Sequence, residues 1–404
     1  MPTPSRKVIT RPHATPAPVA VGWPFLSIGF RPFFLCAALF APTALTVFLF
    51  ALSGGVEWSS RFSPVDWHRH EMLFGYTLAI VAGFLFTAVQ NWTSRPTPKG
   101  ALLATMVALW GLGRLAVALS SQLPLIGVLF IDLCFPVAIA YGIGRPLLEA
   151  GNTRNLFFLG LLALLSTANA LTYFGRADIG YGLALNIFLL MIIIIGGRVI
   201  AMFTERPLGL ILRRDSRLDR IIILTSLTAF LLEMVLLTAP DGLPRPVAGF
   251  VFLVAGTANL WRLSSWQSHK ALKHPLIWVL HAGYAWLVAG MALKAAYFFG
   301  AAVPNSIATH ALTAGAIGVT TLGFISRVAL GHTGRPLVVG WDMATAFVLI
   351  NTAALTRVCV VWLWPDLAEG AYRLAAVMWF AAFALFLIRY TPYLLSRRAD
   401  DTRS

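Results

Sequence analysis

Twelve long apolar runs, separated by short polar connections, make up most of the chain. They fall at 33–52, 71–89, 101–119, 123–143, 155–174, 182–202, 219–238, 247–263, 275–299, 306–327, 342–364 and 371–390. A helix needs about 20 apolar residues to cross the hydrocarbon core of a bilayer, so each run predicts one span. The fold class this predicts is all-α: a polytopic membrane helical bundle with twelve transmembrane helices and connections too short for a soluble domain. Residues 1–32 read as a mobile, basic, proline-rich tail, 33–390 as the transmembrane domain and 391–404 as a second tail. The first tail lacks the short apolar core and cleavage site of a signal peptide.

Composition agrees, and charge adds an orientation. Of 404 residues, 58% are hydrophobic and only 12% charged, whereas globular chains carry about 25% charged residues. A net charge of +15 would suggest nucleic acid in a soluble protein. Here 22 of the 31 Lys and Arg residues fall in the tails, the even-numbered connections or the run ends that border them. Basic residues collect on the cytoplasmic side for topological reasons, so the bias predicts both termini in the cytoplasm and no nucleic-acid partner. Cys36, Cys134 and Cys359 lie inside apolar runs without a C-x-x-C pair and read as small core residues.

That orientation assigns each titratable residue a depth. The second run opens with Asp66-Trp67-His68-Arg69-His70-Glu71 at the outer boundary, and His310 lies about one turn into the tenth run on the same side. His274 falls at the inner boundary, His281 about 10 Å deeper, and His332 follows the tenth run on the inner side. Ionisable side chains at a membrane helix are costly to keep and mark candidate functional sites. Laying the second run on the tenth with a constant shift of 240 aligns His70 with His310, Gly75 with Gly315, Gly83 with Gly323, Phe84 with Phe324, and Thr93, Arg95 and Pro96 with Thr333, Arg335 and Pro336. A parallel internal repeat would make His70 and His310 symmetry mates facing a shared axis.

Two imidazoles from different helices at one depth suit a haem iron clamped from both faces, with Gly75, Ala314 and Gly315 leaving space for the macrocycle. His68 is two residues from His70 and points elsewhere on a regular helix, which leaves it to support His70 or to bind another metal; Glu71 could orient an imidazole. Haem propionates need cations, and Arg114, Lys294 and Arg357 sit in the outer half. Asp132 and Glu233 could instead neutralise them. Arg114 with Asp132 across a tight hairpin is the favoured pair, leaving Lys294 and Arg357 for an anionic ligand. On the inner side, His274 and His281 share a helix face two turns apart, too far for one ion. Together with His332, in the glycine-rich turn Gly331-His332-Thr333-Gly334-Arg335-Pro336, they are candidates for a second metal or haem. No Walker loop, H-E-x-x-H or G-x-S-x-G stands where it could work, which excludes a nucleotide-driven pump or a hydrolase of those types.

His68-x-His70-Glu71-Met72-Leu73-Phe74-Gly75, Gly83-Phe84-Leu85-x-Thr87-Ala88-Val89-x-Asn91-Trp92-Thr93, Gly196-Gly197-Arg198-Val199-Ile200, His274-Pro275-x-x-Trp278-x-x-His281-x-Gly283-Tyr284, His310-Ala311-Leu312-Thr313 and the Gly331–Pro336 turn together resemble the NnrS family. Gln90 and Ala201 stand where that family tends to have proline. The resemblance implies a bacterial inner-membrane protein carrying haem (heme) and copper, linked to denitrification and to resistance against nitric oxide. A looser similarity connects the chain to haem-copper oxidases and nitric oxide reductases, twelve-helix bundles with a haem held from helices 2 and 10. Leu312 stands where those enzymes have a second histidine on helix 10. The function expected is haem and copper binding with handling of nitric oxide or another diatomic ligand, the membrane lipids as surroundings and a respiratory electron donor as partner. Redox activity on nitric oxide stays open. The alternative is a transporter or delivery protein for a metal or haem.

Overall fold

A computed structural model describes residues 23–55, 58–212 and 214–401. Most of the expected N-terminal tail, residues 1–22, lies outside the described residues. Twelve helices are long and apolar enough to cross a membrane, and no strand occurs among the described residues. They are α1 (Phe30–Leu52), α2 (Pro64–Thr93), α3 (Gly100–Ala118), α4 (Leu125–Glu149), α5 (Thr153–Tyr173), α6 (Ala177–Leu208), α7 (Ser216–Thr238), α8 (Arg245–Ser265), α9 (Pro275–Phe298), α10 (Asn305–His332), α11 (Trp341–Leu363) and α12 (Pro365–Leu395). Bulky apolar side chains such as Phe130, Ile388 and Leu148 point outward and exposed. In water such a surface would drive association; in a bilayer it is the lipid face.

The expected runs locate every span but underestimate several. α2 begins seven residues before its apolar run because Ser63 caps it: the Ser63 hydroxyl accepts from the Asp66 N–H at 3.1 Å, and Pro64 occupies the first turn. The polar His68–Glu71 segment is therefore inside the helix. α10 likewise runs on to His332, so that histidine ends a helix where a loop is expected.

Consecutive helices pack on one another along the chain and can be described as three units of four, α1–α4, α5–α8 and α9–α12. These meet where α4 packs on α5, α8 on α9 and α12 on α1, so the units close into a ring. Arg31 at the start of α1 helps that closure by donating from Nη1 to the free carbonyls at the end of α12, with Leu394 O at 2.8 Å. The second helix of each unit lies inside. α2 and α10 have the most enclosed windows, 78% and 72%, and α6 packs against both.

Both central helices change pitch at one place. A π-helical segment spans Glu71–Thr77, directly after His70, and another spans Ala311–Val319, directly after His310. A third, Thr356–Val360, carries Arg357 on α11. A π turn widens the helix and redirects the side chains beside it, and such segments recur at functional sites.

Candidate functional site

The polar residues at the His70 end of the bundle divide into two groups. The first is fully enclosed. His70 Nδ1 lies 3.1 Å from Glu71 Oε1, and His70 Nε2 lies 2.9 Å from Asn169 Oδ1 and 3.1 Å from Asp132 Oδ2. Arg114 donates to Glu71 Oε1 at 2.7 Å and to Asp132 Oδ1. Asn169 Nδ2 and the Tyr173 hydroxyl, both on α5, donate to Asp132 Oδ2 at 2.7 and 2.9 Å. Every group facing His70 is an acceptor, an arrangement satisfied only when both ring nitrogens carry protons. Such an imidazolium with Arg114 balances the two carboxylates, and each charge has hydrogen-bonding partners that make its burial tolerable.

These contacts do not include the expected pairing of His70 with His310. Both nitrogens of His70 have partners, Glu71 of α2, Asp132 of α4 and Asn169 of α5, and none of these belongs to α10. Arg114 is likewise held in this network as an ion pair with Asp132, the alternative favoured on sequence. Lys294 is also claimed by protein groups: its ammonium donates to Glu233 and, at 2.8 Å, to Asn305 Oδ1. It therefore does not sit free for an anion.

The second group comprises His68, His310 and Arg357, and its members lie close enough for each histidine to feel the charge of Arg357 and for His310 to feel His68. His68 stacks on the Phe48 ring of α1, centroids 4.2 Å apart and planes inclined by 17°, which fixes its orientation. Its Nδ1 is buried with no hydrogen-bond partner among the described residues. His310 Nδ1 sits 2.7 Å from the Ser306 carbonyl. A carbonyl only accepts, so Nδ1 carries the proton and Nε2 is left with its lone pair, the form of imidazole that binds a metal. Arg357 lies over the Tyr372 ring, 4.7 Å from its centroid, and its Nη1 is buried without a partner among the described residues. Histidines from the two central helices thus lie within charge range of one another and of Arg357, and each has a ring nitrogen with no partner among the described residues.

The inner histidines do not assemble. His281 uses both nitrogens, Nε2 against Thr204 Oγ1 at 2.8 Å and Nδ1 against Ser268 Oγ at 2.9 Å. His274 is exposed and starts α9, where its carbonyl accepts from Ile277 N and Trp278 N. His332 packs against Phe30, ring centroids 5.6 Å apart. No cluster of three or more His, Cys, Asp or Glu side chains suited to a metal ion occurs among the described residues. Arg198 is exposed. The Gly196-Gly197 pair before it serves a different arginine: a Cβ at Gly197 would stand 2.9 Å from Arg262 Nη1, which donates at 2.9 Å to Ile193 O and at 3.0 Å to the Tyr284 hydroxyl.

The order of these features along the chain decides its family. The model of the NnrS protein family matches residues 24–398, from the turn before α1 to the segment after α12. The chain belongs to the NnrS family. No curated protein sequence matches it. Within this NnrS chain, the family-like segments quoted above fall at the enclosed His70 network, at His68 and His310, at the Arg262 contact and at the α9 partners of α10.

Sequence reasoning missed Asn169 and Tyr173 as partners of His70, Thr204 and Ser268 as partners of His281, and Phe48 as the platform for His68. Only Asn169 carried a usable signal, being an amide within an apolar run.

Proposed function

We propose that this protein is a haem-binding multi-pass protein of the bacterial inner membrane, with both termini cytoplasmic, that handles nitric oxide. Its haem iron is held between His68 of α2 and His310 of α10. The observation that supports this reading is the pair of imidazoles on the two most enclosed helices, each with a ring nitrogen that no described protein group claims. Two neutral imidazoles from facing helices fit the axial ligation of haem. The carbonyl of Ser306 keeps the His310 tautomer, and stacking on Phe48 holds the His68 ring. A haem held by His68 and His310 would supply a one-electron couple, and nitric oxide would reach it only by displacing one of the two imidazoles. Both imidazoles are half-buried among α1, α2, α10 and α11.

Copper fits less well. The described residues gather no set of three ligands for it, so no step is assigned to copper. Haem and metal analysis of purified protein, followed by titration of the reduced form with nitric oxide, tests the proposal. One haem per chain with a spectrum that responds to nitric oxide supports it, and protein free of haem after expression in a haem-sufficient host contradicts it.

A further inference from the structure

Units α1–α4 and α9–α12 are built alike, in detail that goes beyond the shared residues. The π segments begin one residue after His70 and one residue after His310. Thr93 bonds back to Val89 O at 2.7 Å and Thr333 to Ala329 O at 2.6 Å. Ser94 and Gly334, which follow them, both adopt positive φ, 53° and 72°. A Cβ on Gly75 would meet Phe40 of α1, and one on Gly315 would meet Trp286 of α9. Gly83 faces Phe33 and Phe34, while Gly323 faces Val279 and Leu280, so α1 and α9 follow the same register on their partners.

The shift of 240 carries Asp132 on α4 to Tyr372 on α12, and carries Arg114 on α3 to Ala354, three residues before Arg357 on α11. In the first unit Arg114 contacts Asp132 and Glu71. In the last unit Arg357 contacts the Tyr372 ring, and Ala311 stands where Glu71 would be. A cation remains, three residues on, and both carboxylates have been lost. A guanidinium inside a bilayer without a counter-charge is costly, and one face of Tyr372 offsets little of that cost. Nη1 of Arg357 remains buried and unpartnered among the described residues, and His68 and His310, which lie within range of its charge, supply no anion.

We infer that Arg357 binds the carboxylate of a ligand held beside His68 and His310, taking the role that Asp132 and Glu71 fill for Arg114. This deepens the haem proposal and rests on it for the location of the ligand. The carboxylate has two sources, the cofactor's own side chain or a small free carboxylate. A guanidinium presents two parallel donors to either.

Full-length protein stripped of haem, in detergent, is titrated with haem and with haem dimethyl ester, whose carboxylates are blocked; Arg357→Gln and Arg357→Lys variants are titrated alongside. Wild type is expected to bind haem at least about tenfold more tightly than the ester, a difference on the scale of one charge-assisted hydrogen bond. Arg357→Gln should bind both equally, and Arg357→Lys should recover part of the preference. Equal binding of haem and ester by wild type, with formate failing to compete with either, overturns the inference. If wild type binds neither porphyrin, the haem proposal fails by itself, and direct formate binding then decides the matter. Saturable formate binding lost in Arg357→Gln supports a free carboxylate, and no binding overturns the inference. Thermal unfolding separates a structural role: Arg357→Gln is expected to melt at or above wild type. A clear fall in its melting temperature, as is expected for Arg114→Gln, contradicts an uncompensated cation.

Discussion

His70 Nε2 lies 3.1 Å from Asp132 Oδ2, joining α2 to α4 inside the bundle, with Arg114 bridging the same carboxylate to Glu71. All four charged side chains are buried. Such a network tolerates burial only while it is complete, because each member offsets the desolvation of the others.

Removing one member should therefore destabilise the fold strongly. Asp132→Ala is expected to cost about 3–5 kcal/mol, the range for breaking a buried pair by deleting one partner. Unfolding in detergent followed by circular dichroism measures it. A loss comparable to that of an exposed pair such as Arg145–Glu149 would contradict the network.

Close helix approach makes a second prediction. A Cβ on Gly283 of α9 would stand 2.8 Å from the Thr320 backbone nitrogen of α10. Backbone cannot rotate aside as a side chain does, so Gly283→Ala should lower stability by about 1–3 kcal/mol. Gly111→Ala, where a Cβ would meet nothing within 4 Å, serves as the control and should be neutral or slightly stabilising. Equal melting temperatures for the two variants would show that α9 and α10 are not in this contact.

The clasp between the ends of the bundle gives a third. Arg31 Nη1 bonds to the last carbonyls of α12, and Arg335 both donates to Ser396 at 3.1 Å and lies 4.0 Å from the Tyr393 ring centroid. Arg31→Ala should free the end of α12 and speed hydrogen exchange around Tyr393–Ser396 by about tenfold, while leaving α2 unchanged; mass spectrometry of the exchanged peptides reads this. Uniform exchange across wild type and variant would assign the closure to other contacts.

Fold class and span number were legible because hydrophobic run length reports directly on bilayer thickness. Helix starts were less so: the Ser63 cap and Pro64 extend α2 through polar residues that hydropathy excludes. The alignment of His70 with His310 corresponds to a real structural likeness, since each is followed by a π segment. What it could not show is direction. His70 turns to Glu71, Asp132 and Asn169, while His310 bonds the Ser306 carbonyl of its own helix. Residues aligned by the repeat thus have unlike partners. His68, within range of the charge of His310 and Arg357, has Ala308 as its counterpart and so leaves no trace in the repeat. Lys294 was misplaced for a similar reason, because its partner Glu233 comes from α7 of the neighbouring unit and no local spacing links the two.

The central claim is that His68 and His310 hold the haem and His70 does not. The most direct measurement is the visible spectrum and haem content of purified His68→Ala, His310→Ala and His70→Ala proteins. Loss of the wild-type Soret band and of stable haem in the first two, with the His70 variant keeping the wild-type band position in whatever fraction folds, is the predicted result. A wild-type spectrum in His68→Ala together with its loss in His70→Ala would contradict the account.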